Sequence, residues 1–306
     1  MPSAAPTHAI LGAGGVGGFV GAILAHAGAK VILLLRPETH AGYSATLTLE
    51  SPLGNLTAPI VASLALEEAV DVLWVTPKAT QLTQALTAVP NSSLARVVVP
   101  LLNGVDHLSV LRSRFAPDRV VPGTIACEVE RAGPGRIVHR SPFARFAFAS
   151  AGQSSLAWTA DALTAFGCAC RFDPDERTLL WRKLVMLAPM ALNTTAAGMT
   201  VGELWASAEW AGRFEAVARE ACAVARAGGA DVDADETVGL LRGMPAGLRS
   251  SMQKDVAAGR APELDAIAGP ILRGGEAHRI PVPVTAELAG RIAARQEGSP
   301  ARGNTP

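Results

Sequence analysis

The feature that most constrains the fold is a glycine-rich turn near the start of the chain. Residues 8–36, HAILGAGGVGGFVGAILAHAGAKVILLLR, read as an apolar strand, a tight turn, an alanine-rich helix and a second strand. Gly12, Gly14 and Gly17 fill the three glycine positions of GxGxxG in the turn. In this pattern the first glycine permits the turn, the second lets the backbone approach a pyrophosphate, and the third lets the helix pack closely on the sheet. We therefore predict a dinucleotide site whose diphosphate rests on the helix N-terminus.

The end of the second strand indicates which dinucleotide binds. An NAD-specific site usually carries Asp or Glu about 20 residues beyond the glycines, whereas this chain has Arg36 there. A guanidinium group suits a 2′-phosphate, so the sequence favours NADP(H) over NAD(H). The alternative is that Arg36 is an ordinary charge at a strand end.

Two later apolar segments are predicted to extend the same sheet. Residues 71–76 and 96–102 are followed by the polar loop residues Lys78 and Asn103. Ligand contacts of a doubly wound sheet lie beyond the strand C-termini, so both side chains are candidates to contact cofactor or substrate, although either alone also fits a solvated loop residue. The segments TIACEVE, GRIVH and ARFAFAS are predicted to be hairpin strands that close this sheet. The prediction is an α/β Rossmann-like N-terminal domain over residues 1–172.

The second half of the chain is predicted to be an all-α C-terminal domain over residues 173–297, serving substrate binding and dimerisation. Its first helix starts in DPDERTLLWRKLVML, where Asp173 is the candidate N-cap and a proline follows in the first turn. Long amphipathic segments follow without a repeat or a linker. Residues 298–306 are polar and rich in Pro and Gly, which predicts a disordered tail.

One lysine, Lys183, falls inside the apolar run of that first helix. It shares a helical stripe with Leu180, Leu184, Leu187 and Ala191. A lysine that faces inward loses hydration, which lowers its pKa towards values useful for proton transfer. The alternative is a surface lysine whose stem covers apolar area while its ammonium group reaches water.

Composition excludes several classes of partner. The chain has 27 Lys plus Arg and 27 Asp plus Glu, so no net field attracts nucleic acid or an anionic membrane. The four cysteines lack the paired spacing of a zinc site, and we predict reduced thiols and no metal. The N-terminus lacks the basic region of a signal peptide, and no apolar run approaches the roughly 18 residues that span a bilayer. We expect a soluble, cytoplasmic protein without a membrane partner, and the apolar helical surfaces are compatible with a homodimer.

Taken together, these motifs resemble the ketopantoate reductase (2-dehydropantoate 2-reductase) family along nearly the whole chain. The resemblance rests on GAGGVGG, Arg36, PKATQ, LNG, LWRKL and the late blocks SSMQKDVAAGRAPELDAIAG and HRIPVPVTAEL. It implies NADPH-dependent reduction of a small 2-oxo acid, ketopantoate to pantoate, in a cleft between a Rossmann domain and a helical domain. It further implies the roles of individual residues: NADP(H) binding by Gly12, Gly14, Gly17, Arg36, Lys78 and Asn103, with Asn103 also near the substrate; proton donation by Lys183; a carboxylate beside that lysine at Glu263; and substrate binding by Ser251.

The chain departs from the family pattern on the lysine helix. Ketopantoate reductases typically place asparagines four and eight residues after the lysine, where this chain has Leu187 and Ala191. Asn193 lies nearby, and we consider it as a substitute substrate ligand that a kink at Pro189 would bring round. The alternatives are a reductase of a less polar carbonyl or imine, a related 3-hydroxyacid dehydrogenase or imine reductase, and a non-catalytic NADP-binding sensor.

Overall fold

The structure is a computed structural model and describes residues 5–297, so the predicted tail at 298–306 lies outside the described residues. The chain forms two compact units. The first comprises the chain up to Leu102 together with His107–Leu179, and the second comprises Asn103–Asp106 together with the chain from Leu180 onward.

The first unit contains all the strands of the described chain and five complete helices. The strands are β1 (Thr7–Leu11), β2 (Lys30–Leu34), β3 (Thr46–Glu50), β4 (Leu56–Pro59), β5 (Val61–Ser63), β6 (Val70–Val75), β7 (Ala95–Pro100), β8 (Gly123–Ala126), β9 (Val129–Gly133), β10 (Arg136–His139), β11 (Arg145–Ala149) and β12 (Ala169–Asp173). The helices are α1 (Gly15–His26), α2 (Pro37–His40), α3 (Leu82–Ala85), α4 (His107–Arg114) and α5 (Ala157–Ala165).

A parallel five-stranded sheet in the order β5-β2-β1-β6-β7 forms the centre of this unit. Successive side chains of the inner strands enter different apolar clusters. Ile10 and Leu33 pack in one cluster, whereas Leu11 and Leu34 pack in another. Burial on both faces explains why these strands read as continuous apolar runs rather than as alternating ones. The predicted Rossmann-like sheet is therefore confirmed.

The later strands do not close that sheet, and this part of the prediction is wrong. Strands β9 and β10 join β3 and β4 in a separate four-stranded sheet, and β8, β11 and β12 form a three-stranded sheet. The ladder from β7 to this part of the chain is a single bridge between Val98 and Val120. Alternation predicts that a segment is a strand, but it does not identify the neighbouring strand.

The second unit is helical. Its helices are α6 (Glu176–Ala197, which begins in the first unit), α7 (Val201–Ala206), α8 (Ala208–Ala227), α9 (Ala234–Arg242), α10 (Ser251–Ala257), α11 (Leu264–His278) and α12 (Pro283–Glu297). Helices α6, α8, α11 and α12 contribute Leu192, Val217, Ile271 and Leu288 to one buried apolar cluster. This arrangement confirms the predicted helical second half.

Helix α6 starts later than its sequence suggests. Asp173 ends β12, and Asp175 takes the capping position because its carboxylate accepts the Arg177 backbone N–H at 3.0 Å. The first turn of α6 packs with the first unit, since Leu179 belongs to that unit's core and Glu176 accepts a hydrogen bond from Arg112 at 2.8 Å. These two contacts explain why the boundary between the units follows Leu179, whereas the sequence predicted it near residue 172.

Candidate active site

The three glycines of the turn in the first unit have different environments. Gly12 has a φ of +99°, and a Cβ there would lie 2.5 Å from the Pro77 backbone nitrogen. A Cβ on Gly17 would collide with the Gly12 carbonyl oxygen. Gly14 differs, because a Cβ there would meet no described atom within 4 Å. The space in front of Gly14, at the N-terminus of α1, fits the close approach of a pyrophosphate.

Thr76 holds this turn in place and was missed by the sequence analysis. Its hydroxyl lies 2.7 Å from the Gly12 carbonyl oxygen and 3.0 Å from that of Leu11, and it can donate to either. The Thr76 backbone N–H also donates to Leu11 at 2.8 Å. The only signal in the sequence is a threonine at the end of the strand 71–76, directly before Pro77.

Arg36 and Lys78 lie near this turn because they follow the two strands that flank β1. Leu34 and Val75, the last residues of β2 and β6, are both paired in register with Leu11. Arg36 comes shortly after Leu34, and Lys78 after Val75, so both leave the sheet at the edge where the glycine turn lies. The sheet therefore brings these predicted cofactor ligands together.

The side chains of Arg36 and Lys78 differ in exposure. The Arg36 Nε lies 3.2 Å from Glu38, with 64% of each side chain exposed. Exposed pairs of this kind contribute little free energy, so the guanidinium group can bind a stronger anion such as a phosphate. Lys78 is half-buried and immediately precedes a 3₁₀ turn, Ala79–Gln81.

In the second unit, Asn103 and Glu263 meet although 160 residues separate them. The Asn103 Nδ2 donates to the Glu263 Oε2 at 3.0 Å, and both side chains are half-buried. Glu263 directly precedes α11, and its side chain makes no capping hydrogen bond to that helix. An asparagine amide has two N–H donors and one acceptor, which leaves capacity for a ligand beyond Glu263.

Gly104 allows the loop that carries Asn103 to approach α11. Its φ is +81°, and a Cβ there would collide with the Ala266 carbonyl oxygen. A side chain at this position would therefore strain the backbone and push the loop away from the helix. The loop conformation and the Asn103 hydrogen bond depend on the same glycine.

Lys183 lies at the margin of the apolar stripe on α6. Leu180, Leu184 and Ala191 are buried, whereas Lys183 and Leu187 are half-buried. The lysine is therefore neither fully solvated nor enclosed, which is compatible with both interpretations of its sequence pattern. Its role as proton donor stays a prediction.

The adjacent residues Ser250 and Ser251 have opposite environments. Ser251, the predicted substrate ligand, is exposed in the first turn of α10. Ser250 is buried and caps that helix, because its oxygen accepts the Gln253 backbone N–H at 3.1 Å. It also lies 2.7 Å from the Thr194 hydroxyl, which itself donates to the Met190 carbonyl at 2.7 Å. This buried chain of hydrogen bonds fixes the start of α10 on α6, and the sequence analysis missed Thr194 and Ser250.

Asn193, the predicted substitute substrate ligand, lies in the interior of the second unit. Its side chain is fully buried, and its Nδ2 donates to the Pro189 carbonyl at 2.8 Å. Helix α6 continues through Pro189 from Glu176 to Ala197. The side chain has no exposed surface in this structure, and its role as a substrate ligand stays a prediction.

The position of Ala191 also limits the comparison with the family pattern. Ala191 is fully buried in the core of the second unit, whereas Leu187 retains exposed area. Of the two apolar replacements, Leu187 alone lies where a ligand could reach it.

Among residues 5–297, no group of three or more His, Cys, Asp or Glu side chains could hold a metal ion. Within the same residues no helix is both long enough and apolar enough to cross a membrane.

Comparison with known proteins identifies the family. The profile of the ketopantoate reductase PanE/ApbA family matches residues 8–152, and that of its C-terminal domain matches residues 175–296. The chain belongs to the ketopantoate reductase family. A 2-dehydropantoate 2-reductase of Caulobacter vibrioides is 31% identical over 290 residues, which cover 91% of this chain and 95% of that protein. A 2-dehydropantoate 2-reductase of Mycobacterium tuberculosis is 30% identical over 233 residues, 75% of this chain and 77% of its own length.

Solved structures show the same fold. A ketopantoate reductase of this family from Ralstonia eutropha superposes with a TM-score of 0.84 at 28% identity, covering 95% of this chain and 99% of that one. A D-mandelate dehydrogenase in complex with NADH and anilino(oxo)acetate also has a TM-score of 0.84, at 23% identity and with the same coverage. At that identity the dehydrogenase shows the shared fold alone. These matches confirm the order of a Rossmann-like unit followed by a helical one.

Proposed function

We propose that this member of the ketopantoate reductase family reduces a 2-oxo acid to a 2-hydroxy acid with NADPH, and that 2-dehydropantoate is the first substrate to test. The family supplies the reaction class, an oxidoreductase acting on an oxo acid. The choice of cofactor and the roles of individual residues are the finer parts of the proposal.

The residues of the first unit fit a dinucleotide phosphate. The space at Gly14 admits a backbone-bound diphosphate at the N-terminus of α1. Arg36 leaves the neighbouring strand on the side where an adenosine ribose would lie, and no acidic residue takes its place at that position. Arg36 and Lys78 together supply two positive charges for the phosphates.

The chemistry requires a hydride for the carbonyl carbon and a proton for its oxygen. Bound NADPH supplies the hydride. In the proposal the Lys183 ammonium donates a hydrogen bond to the substrate oxygen, stabilises the developing negative charge and transfers the proton. Glu263 orients this lysine and favours its protonated form. Ser251, exposed on α10, donates to the substrate carboxylate.

The observation that carries this proposal is the 3.0 Å hydrogen bond between Asn103 and Glu263. It joins a residue expected beside the nicotinamide to a residue expected beside the proton donor. The proposal therefore assigns to one site two side chains that are 160 positions apart in the sequence and 3.0 Å apart in the fold.

The test is NADPH oxidation in the presence of 2-dehydropantoate, with the wild type, Lys183→Ala and Arg182→Ala compared. Arg182 is the matched control, since it is an exposed cation on the same helix, paired with Asp231 at 3.7 Å. We expect turnover in the wild type, a loss of at least a hundredfold in kcat for Lys183→Ala, as is typical when a general acid is removed, and little change for Arg182→Ala. NADPH binding without reduction of any 2-oxo acid would instead identify a sensor.

A second candidate function, reduction of a less polar 2-oxo acid, is favoured by Leu187. This half-buried leucine occupies a position where the family usually has an asparagine. Loss of one hydrogen bond to a substrate hydroxyl costs about 1–3 kcal/mol, or about ten- to a hundredfold in kcat/KM. If 2-oxoisovalerate is reduced faster than 2-dehydropantoate, and Leu187→Asn reverses the order, the apolar substrate is the correct one. Efficient reduction of 2-dehydropantoate by the wild type would exclude it.

A further inference from the structure

An exposed arginine of the second unit connects the Asn103 loop to α11. The Arg273 Nη2 donates to Asp106 at 2.5 Å, and its Nη1 donates to Asp265 at 2.7 Å. Asp106 is the last residue of the loop between β7 and α4, which also carries Asn103, and Asp265 lies in the first turn of α11. One guanidinium group therefore binds both the far end of the loop and the start of the helix.

The helix surface is shaped for this arrangement. Arg273 and Asp265 are two turns apart on α11, and Gly269 lies midway between them on the same face. A Cβ on Gly269 would collide with the Arg273 guanidinium group and lie 2.5 Å from the Asp265 Oδ1. A side chain at 269 would therefore displace the ends of Arg273 and Asp265 from their present positions across the helix.

The loop that carries Asn103 therefore contacts α11, or the residue before it, at three points. Asn103 bonds to Glu263, Asp106 bonds to Arg273, and Gly104 lets the loop backbone approach Ala266. All three contacts are made on the first three turns of α11 or at the residue before it.

We propose that Arg273 is a positioning residue, which orients the Asn103 amide towards Glu263 by holding Asp106 and Asp265. The inference rests on the proposed function for its effect on catalysis, whereas the positioning itself does not depend on it. No contact of Arg273 with substrate or cofactor is involved.

Stability is a poor explanation for this network. About half of each of the Arg273 and Asp106 side chains is exposed, and 80% of the Asp265 side chain is exposed. Exposed ion pairs typically contribute less than about 1 kcal/mol. The geometric consequence is larger, because misplacing a catalytic contact by about 1 Å can lower the rate by up to about a hundredfold.

The test compares Arg273→Met with Arg219→Met. Methionine keeps most of the apolar stem and removes the charge. Arg219 is the matched control, since it forms an exposed pair with Asp235 at 2.8 Å in the same unit. The first measurement is the side-chain amide signal of Asn103 in a protein labelled with ¹⁵N at its five asparagines, with the signal assigned through Asn103→Ser. The second is kcat and KM with NADPH and the 2-oxo acid that the wild type reduces.

We expect the Asn103 amide signal to move in Arg273→Met and to stay in place in Arg219→Met. We also expect a three- to tenfold lower kcat in Arg273→Met, a melting temperature within about 1–2 °C of the wild type, and partial recovery in Arg273→Lys, which keeps the charge. If Arg273→Met fails to fold, Asp106→Asn replaces it and should give the same two changes.

An unmoved Asn103 signal would overturn the positioning role, whether or not the protein is an active reductase. A moved signal with unchanged kcat in an active enzyme would overturn the catalytic consequence. Failure of the wild type to oxidise NADPH with any oxo acid would count against the proposed function, and the amide signal would still decide on the positioning.

Discussion

At the scale of single residues, Ser250 and Ser251 show how two identical neighbours can have separate roles. Ser250 is buried, caps α10 and is bonded to Thr194, whereas Ser251 is exposed. Ser250→Ala removes a helix cap and leaves a buried hydroxyl of Thr194 with one partner fewer. We expect it to lower the free energy of unfolding by about 1–3 kcal/mol. Ser251→Ala should leave stability within about 0.5 kcal/mol and raise the KM for the oxo acid.

Urea denaturation and steady-state kinetics on the two variants check this prediction. Each serine serves as the control for the other, because the substitution is the same and the two positions are adjacent. Equal loss of stability in both variants would contradict the assignment of the cap to Ser250. An unchanged KM in Ser251→Ala would remove this serine from the substrate site.

His8 is a second residue whose environment has a measurable consequence. It is fully buried on β1, and its Nδ1 accepts a hydrogen bond from the Trp74 Nε1 at 3.2 Å. Burial lowers the pKa of His8 from 6.5 to about 4, and the nearby Asp71 opposes this shift only in part. The unfolded chain therefore binds a proton at His8 below pH 6.5, whereas the folded chain does so only near pH 4.

This difference makes the stability of the protein depend on pH. The contribution of His8 is complete above pH 6.5 and is lost as the pH falls from 6.5 towards 4, by about 3 kcal/mol in total. Burial also lowers the pKa of His139, which adds a loss of the same sign, so the wild type must be compared with His8→Asn. We expect the variant to show a smaller slope of unfolding free energy against pH in this window. Identical slopes would contradict the assignment to His8.

At the scale of secondary-structure elements, the strand, turn and helix at the N-terminus separate packing from binding. Gly17 is required for packing, because a Cβ there would collide with the Gly12 carbonyl oxygen, whereas a Cβ on Gly14 meets no described atom within 4 Å. Gly14 also has a φ of −84°, which other residues adopt readily. Gly14→Ala should therefore fold like the wild type and bind NADPH at least tenfold more weakly, while Gly17→Ala should lose about 1–3 kcal/mol of stability.

Thermal melting and titration of NADPH fluorescence distinguish the two variants. The result that would contradict the proposed cofactor site is a Gly14→Ala protein with both stability and NADPH affinity unchanged. In that case the space in front of α1 would have no role in binding.

The same element shows what the sequence could predict. The glycine spacing and the flanking apolar runs are local signals, so the strand, the turn and their neighbours could be placed without a structure. The contact between Arg273 and Asp106 spans 167 residues, and exposed charges are too common for either residue to be recognised locally. The burial of Asn193 has a geometric cause. It lies ten residues after Lys183, about 2.8 helical turns, so the two side chains point in different directions from α6.

At the scale of the whole molecule, the predicted roles divide between the two units. The glycine turn, Arg36 and Lys78 belong to the first unit, whereas Lys183, Ser251 and Glu263 belong to the second. Asn103 is the exception among the predicted cofactor ligands, because contacts group it with the second unit and it bonds to Glu263. This division predicts how kinetic constants respond to substitutions.

Substitutions in the first unit should change cofactor constants, and those in the second should change oxo-acid constants. We expect Arg36→Met to raise the KM for NADPH at least tenfold and to have little effect on the KM for NADH. We expect Leu187→Asn to change the preference between 2-dehydropantoate and 2-oxoisovalerate, measured as the ratio of their catalytic efficiencies. In the double variant the two effects on catalytic efficiency should add as free energies within about 0.5 kcal/mol, since the residues share no partner.

Asn103→Ser should alter both sets of constants, because its amide is expected at the nicotinamide and its partner Glu263 beside the proton donor. If Arg36→Met weakens the binding of NADH and NADPH equally, the assignment of Arg36 to the 2′-phosphate fails. If Asn103→Ser alters only one set of kinetic constants, the link between cofactor and proton donor fails.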